Sequence, residues 1–230
     1  MAAAPTPGVG DHVPDSETDP GLEAHLRAGV AVYNAGGYHA AHDAWEQRWL
    51  SLDSGDEERF LHGLIQFTAA VHHASEGNRS GATGLADSAR EYLAPLPAAY
   101  HGVDIAAVRA SLADLAADPT VPDGTPASGD GPLALTHEGE ALVPADLDLA
   151  ATRVAATVLA EEAGYDEETI ERAGAYARAD LDDGRTASPF VTLLFDFVRR
   201  PDRRDVVAGR LAEHARRRHS RETDVDGLFD

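Results

Sequence analysis

The chain has 230 residues and a formal net charge of −21; all nineteen basic residues are arginine, and there is no cysteine. Without cysteine there are no disulfides, thiol nucleophiles or thiolate metal sites; without lysine there is no Walker A phosphate loop, Schiff-base chemistry or kinase lysine. Dense carboxylate without lysine is expected of a protein kept soluble in concentrated salt, where its self-repulsion is screened, so the composition points to the cytoplasm of a salt-accumulating halophile.

The opening "MAAAPTPGVGDHVPDSETDP" lacks the basic and apolar regions of a signal peptide. Its proline, glycine and aspartate content predicts a disordered leader over residues 1–19. No stretch approaches the length of a membrane span. From residue 20 to 117 the apolar spacing is helical. Leu22, Leu26, Val30 and Tyr33 form a stripe that stops at Gly36-Gly37, and "YHAAHDAWEQRW" (residues 38–49) makes the next helix. After the acidic turn "DSGDEE", the segment "RFLHGLIQFTAAVHHASEGN" is apolar on most sides, which suits the centre of a bundle. It ends near Gly77-Asn78. "GATGLADSAREYLAPL" is a further helix, cut by Pro95 and Pro97. Asp104 then caps a helix whose stripe is Ile105, Val108, Leu112 and Leu115.

Residues 118–146 are rich in proline, glycine and aspartate, as in a linker, although "LALTHEGEALV" within them has the pattern of a short hairpin. Helices then resume. Leu147, Ala151, Val154 and Val158 line one; Asp166 caps the next, with Ile170, Ala173, Ala177 and Leu181. Ser188-Pro189 is an N-cap followed by proline at the first helical position, and Asp202 opens a last helix with Val206, Val207 and Leu211. The expectation is an all-α protein: a helical bundle over 20–117, a small four-helix domain over 147–220 and a tail over 221–230.

The chemistry concentrates on residues 38–49. At about 100° per residue, Tyr38, Ala41, Trp45 and Trp49 share a stripe, with His42 inside it, Glu46 at its edge and His39 alongside. Two tryptophans one turn apart are most simply core packing, whereas a histidine in that stripe obliges its nitrogens to find partners. On the following helix His62, Gln66 and His73 share a ridge. An antiparallel hairpin across "DSGDEE" would gather His39, His42, Glu46, Gln66 and His73, with His62 at the margin.

Three readings of that cluster stand. In the first it is a buried polar network that fixes helix register, part of an interaction or small-ligand-binding module with His39, Gln66, His73, Trp45 and Trp49 as binding residues. In the second, His39, His42, Glu46 and His73 hold a divalent metal such as zinc, in a metal-dependent, hydrolase-type enzyme centred on His42 and Glu46. In the third, His42 and Glu46 perform acid–base catalysis without a metal. No recognised metal signature is present, no cofactor is firmly implied, and a di-iron bundle would need several glutamates from four helices.

"YNAGGYHAAHDAWEQRW" followed by "FLHGLIQFTAAVHHASEGNRSGATGL" resembles the DUF309 family of small all-helical proteins of uncharacterised function. Asn34, Gly36, Tyr38, Ala41, His42, Glu46 and Trp49 match the first part of the family pattern. Phe60, Gly63, Leu64, Ile65, Gln66, His73, Gly77, Asn78, Gly81 and Ala82 match the second. The chain departs from it at His39 (usually aromatic), Ala40 (glutamate), Asp43 (glutamate) and His62 (glutamine). The resemblance covers roughly residues 20–115; it implies an all-helical fold and no activity.

Residues 199–221, from Arg199 to Arg221, hold nine arginines against three acids. Phosphate is the obvious target for clustered arginine, but such contacts weaken steeply with salt and no aromatics are interleaved to stack on bases. The segment is therefore expected to dock on the acidic first domain or on a second copy of the chain, rather than on nucleic acid.

Overall fold

Two glycines in the middle of helices set how the first four helices meet. The computed structural model describes residues 20–226; the expected leader over residues 1–19 and the last four residues lie outside the described residues. The bundle opens with α1 (Gly21–Asn34), α2 (Tyr38–Trp49), α3 (Asp56–Ser75) and α4 (Arg79–Leu93). A Cβ added at Gly29 would lie 2.2 Å from Trp45 Nε1, and one at Gly63 would lie 2.4 Å from Leu93 Cδ2. The Trp45 indole thus lies directly on the backbone of α1, and the Leu93 side chain on that of α3. Glycine inside a helix costs about 1 kcal/mol relative to alanine. Full burial of a tryptophan, worth on the order of 4–6 kcal/mol at about 25 cal/mol per Å2, outweighs that.

The helix boundaries follow their caps. Asn78 accepts a hydrogen bond from Gly81 N at the start of α4, after Gly77 ends α3 in the left-handed region at φ 75°. Asp104 accepts from Ala107 N and opens α5 (Ile105–Ala117), whose Ile105, Val108, Leu112 and Leu115 are all buried as their spacing predicts. Between α4 and α5, a two-residue hairpin pairs β1 (Ala99–Tyr100) with β2 (Val103–Asp104). It turns through His101 and Gly102, both at positive φ. Its shortness hides it from periodicity, since two-residue strands carry no alternation to read.

Residues 118–146 are pinned to the bundle. Asn34, the last residue of α1 and fully buried, donates from Nδ2 to Leu135 O and Leu142 O, each at 2.8 Å, and accepts from Leu135 N at 2.9 Å. Leu135 and Leu142 are themselves buried. The hairpin pattern in this segment forms a tight turn: His137 and Glu140 exchange backbone hydrogen bonds around Glu138 and Gly139, and Glu138 N donates to Gly102 O. Proline and glycine here shape a strap over the end of α1, and its leucines supply the apolar anchor.

Beyond the strap come α6 (Leu149–Ala163), α7 (Glu167–Asp182), α8 (Pro189–Arg199) and α9 (Arg204–Asp226). Asp148 and Ser188 cap α6 and α8 through Ala151 N and Val191 N. Asp202 lies in a short 3-10 turn, and α9 begins two residues later. The helix continues through the segment expected as a tail, as far as Asp226. Val206 is exposed, while Val207, Leu211 and Ala215 face inward. Among the described residues the protein is overwhelmingly helical, as expected. One hydrophobic core runs from Ala24 to Ala215. Helix α6 touches α1 and α2 on one side and α7 and α8 on the other, so the bundle and the C-terminal helices share their interior.

The arginine-rich segment docks on its own C-terminal half. Helix α9 packs on α7 and α8. Arg218 donates to Asp180 Oδ1 at 2.6 Å and lies 4.3 Å from the Tyr176 ring centre. Arg185 and Ser188 also donate to the Asp180 carboxylate, at 2.8 and 2.7 Å. Burial pushes the Asp180 carboxyl up, but the bond from Ser188 and the bond and charge of Arg218 outweigh it, and the pKa is lowered. Arg199 and Arg204 donate to the carbonyls of Leu147 and Phe197.

Two predictions follow from these anchors. Asn34→Ala leaves the Leu135 amide and two carbonyls without partners, and should cost about 2–4 kcal/mol, read as a lower urea midpoint with the helical circular dichroism retained. Asp180→Asn should cost on the order of 3 kcal/mol near neutral pH, because it removes the buried carboxylate that Arg218 and Arg185 share and leaves Arg218 only its exposed partner Glu222. Since the Asp180 pKa is depressed, its stabilisation is complete above the ordinary aspartate range and fades as pH falls through the folded value. Unfolding curves of the Asn variant should therefore approach those of the unmodified protein in acid, and a constant gap down to the lowest pH would refute the assignment.

Candidate functional site

Helix α2 buries Ala40, Ala41, Ala44 and Trp45. Its inward arc is rotated from the stripe expected from Tyr38, Trp45 and Trp49, because three helices, α1, α3 and α6, contact it rather than two. The rotation leaves His42, Asp43 and Glu46 half-buried at the edge of the core and His39 exposed. The polar groups expected inside the core stand at its margin.

The centre of this face is Asp43. One carboxylate oxygen bonds His42 Nδ1 at 2.9 Å, and the other lies 3.0 Å from His39 Nδ1. The two imidazole rings stack with centres 6.1 Å apart. The hydrogen bond to the Asp43 carboxylate raises the His42 pKa most; burial lowers it, and the charges of Asp43 and Glu46 raise it further, for a net upward shift. One donor atom each from His42, Asp43 and Glu46 lie within 4.8 Å of one another. Imidazole and carboxylate together suit zinc and other first-row divalent ions.

The other candidates fall into separate groups. His62 lies between Trp49 and Tyr92, with ring centres 4.8 and 3.9 Å away, and its Nε2 is 3.3 Å from Gln66 Nε2. Glu58 joins this group by accepting from Trp49 Nε1 at 2.9 Å and lying 3.4 Å from His62 Nδ1. The Nδ1 atom of His73 pairs instead with the Asn78 side chain at the end of α3. Trp45 is fully buried against Gly29, so its place is the core. The cluster expected to be single is thus divided: His39, His42 and Glu46 come together around Asp43, Gln66 joins His62, and His73 stands by the α3–α4 turn.

Asp43 is the residue that sequence reasoning passed over as a site residue. The signal was present: it follows His42 directly and lies one turn after His39, at a position where the family pattern carries an acid.

Residues 26–85 match the family model described as a domain of unknown function, DUF309. An uncharacterized protein of Aquifex aeolicus (strain VF5) is 24% identical over 90 residues, which are 39% of this chain and 27% of that protein. The match therefore spans about a quarter of the length of that relative. The DUF309 segment contains the whole of α2 and α3, with Gly29, Asn34, Asp43 and the divided His/Gln cluster. It ends within α4, before the strap and the C-terminal helices. Among the described residues, no helix is long and apolar enough to cross a membrane.

The cause of the His42 shift is testable in the metal-free protein. Asp43→Asn should bring the His42 pKa down towards the ordinary value of about 6.5, read from imidazole resonances in an NMR titration. Because the folded pKa is raised, protonated His42 stabilises the fold at low pH, and that contribution is lost as pH rises through the folded value. An unchanged His42 titration in the variant would show that Asp43 is not its cause.

Proposed function

We propose that the DUF309 segment binds a divalent metal ion on the open face of α2, with His42, Asp43 and Glu46 as ligands and His39 beside them. The observation that carries this reading is the convergence of three donor atoms within 4.8 Å on a single helix turn. The helix is held rigidly by the Trp45 indole against Gly29, so the ligands are positioned before an ion arrives. The site also lies at the edge of the core, where an ion can reach it.

A hydrolase-type reading rests on the same geometry. Three protein ligands on a half-exposed face leave coordination positions for water, as in catalytic rather than structural zinc sites, and a bound ion lowers the pKa of that water. The chain would then be a metal-dependent enzyme, with His39 beside the ligands at hand to accept a proton. Its setting in this proposal is a salt-rich cytoplasm, which the surplus of carboxylate and the lack of lysine and cysteine support.

Elemental analysis and zinc titration of the full chain, purified without chelator, test the reading. One ion per chain is expected, with affinity reduced about 10–100-fold or more in His42→Ala and Asp43→Asn, and no such loss in His73→Ala. Absence of stoichiometric binding to any first-row divalent ion would end the metal reading. Hydrolysis of an activated ester or phosphate that tracks metal content across these variants would add the enzyme reading, and activity that survives full metal removal would contradict it.

A further inference from the structure

A cleft between the first bundle and the C-terminal helices contains an arginine that makes no ion pair among the described residues. Its volume is about 530 Å3, within the range of small-molecule sites, roughly 300–1,000 Å3. Gln47 of α2, Arg153 of α6 and Arg172 of α7 line it, together with Glu168 and Glu171 of α7. Arg172 is paired with Glu168. Arg153 is different: its Nε is buried and has no hydrogen-bond partner among the described residues.

Packing holds that side chain in place. Arg153 lies across Gly174, where an added Cβ would stand 3.2 Å from Nε and 3.3 Å from Cγ. A side chain at position 174 would push the Arg153 side chain aside by a few tenths of an ångström. Burial disfavours the Arg153 charge most, the neighbouring Arg178 adds repulsion, and Glu171 attracts it in part. A buried N–H without an acceptor costs about 1–3 kcal/mol, and more when charged. Such a group calls for a specific explanation; Arg153 lines the cleft, and a ligand there that draws the guanidinium outward and supplies its acceptors is one.

We propose that this cleft binds a small monocarboxylate, with its two oxygens received side by side by the guanidinium of Arg153. The planar fork of arginine matches the two oxygens of a carboxylate. The charge of the walls favours one negative charge over two. Arg153 and Arg172 are balanced by Glu168 and Glu171, and Glu171 would repel a phosphate dianion more strongly than a monoanion. Val154 and Ile170 also line the cleft, and they suit a short apolar body behind the carboxylate. The site is separate from the proposed metal site and does not require it.

Titration of the full chain with butyrate and, separately, inorganic phosphate at constant ionic strength tests this, followed by NMR of the arginine Nε–H resonances. Saturable butyrate binding with a shift of the Arg153 resonance is expected. Arg153→Gln should weaken it at least ten-fold, and Arg153→Lys, which keeps the charge but lacks the planar fork, should weaken it too. Should the Gln variant fail to fold, the Lys variant decides. His42→Ala should leave butyrate binding unchanged, so failure of the metal reading and failure of this one are distinguishable. No saturable butyrate binding, tighter binding of phosphate than of butyrate, or full-strength binding in a folded Arg153→Gln or Arg153→Lys protein would each overturn the proposal.

Discussion

The contact between the Trp45 indole and the bare backbone at Gly29 governs the arrangement of the first bundle. With the ring against α1 at this distance, α2 has little freedom to roll. Ala40, Ala41 and Ala44 then share its buried arc, and alanine lets the neighbouring helices approach closely. The residues about a third of a turn away, His42, Asp43 and Glu46, are carried to the rim of the core. Any side chain at position 29 would meet the indole, and interiors packed at crystal density do not absorb such an overlap without moving an element. The openness of the candidate site is thus a consequence of a packing contact on an adjacent face of the same helix.

A second constraint joins the halves of the chain. Helix α6 is buried on nearly every side and touches helices of both halves. Separating them would expose a continuous apolar surface, so the cleft beside Arg153 is a fixed feature of a shared core. The Asn34 amide works in the same direction. Its three hydrogen bonds satisfy both backbone groups of Leu135 and one of Leu142, which lets the strap carry its leucines inward without leaving polar groups unpaired.

Helix existence and most caps were legible in the sequence because they depend on neighbours within one turn. Asp104, Asp148 and Ser188 cap where local chemistry places them, and the stripe of α5 is buried as its spacing predicts. The site was legible in part. His39, His42 and Glu46 do share a face, since helical periodicity alone brings them together. Their partner Asp43 and their exposure depend on which arc of α2 is covered, and α6, more than a hundred residues away, takes part in covering it. His73 was placed by an assumed hairpin register, whereas its observed partner Asn78 belongs to the local cap at the α3–α4 turn. The strap was read as a linker from its proline and glycine, although its leucines carried the opposite message.

Charge is the remaining constraint, and it makes Arg153 stand apart. With forty acidic residues against nineteen arginines, an arginine on this surface has many carboxylates to meet. Arg172, Arg178, Arg185 and Arg218 all lie in ion pairs with acids. The Nε of Arg153 is buried without an acceptor in the midst of that surplus, and Arg172 already engages Glu168 on the same wall; Arg27 Nε likewise has no hydrogen-bond partner, but its Nη2 donates to Asp146 O. The same surplus has the opposite effect on α2, where Asp43 and Glu46 surround His42 with negative charge and raise its pKa. One composition thus produces two complementary electrostatic environments: an acidic face suited to a cation, and, in the cleft, a single guanidinium whose geometry leaves it open to an anion.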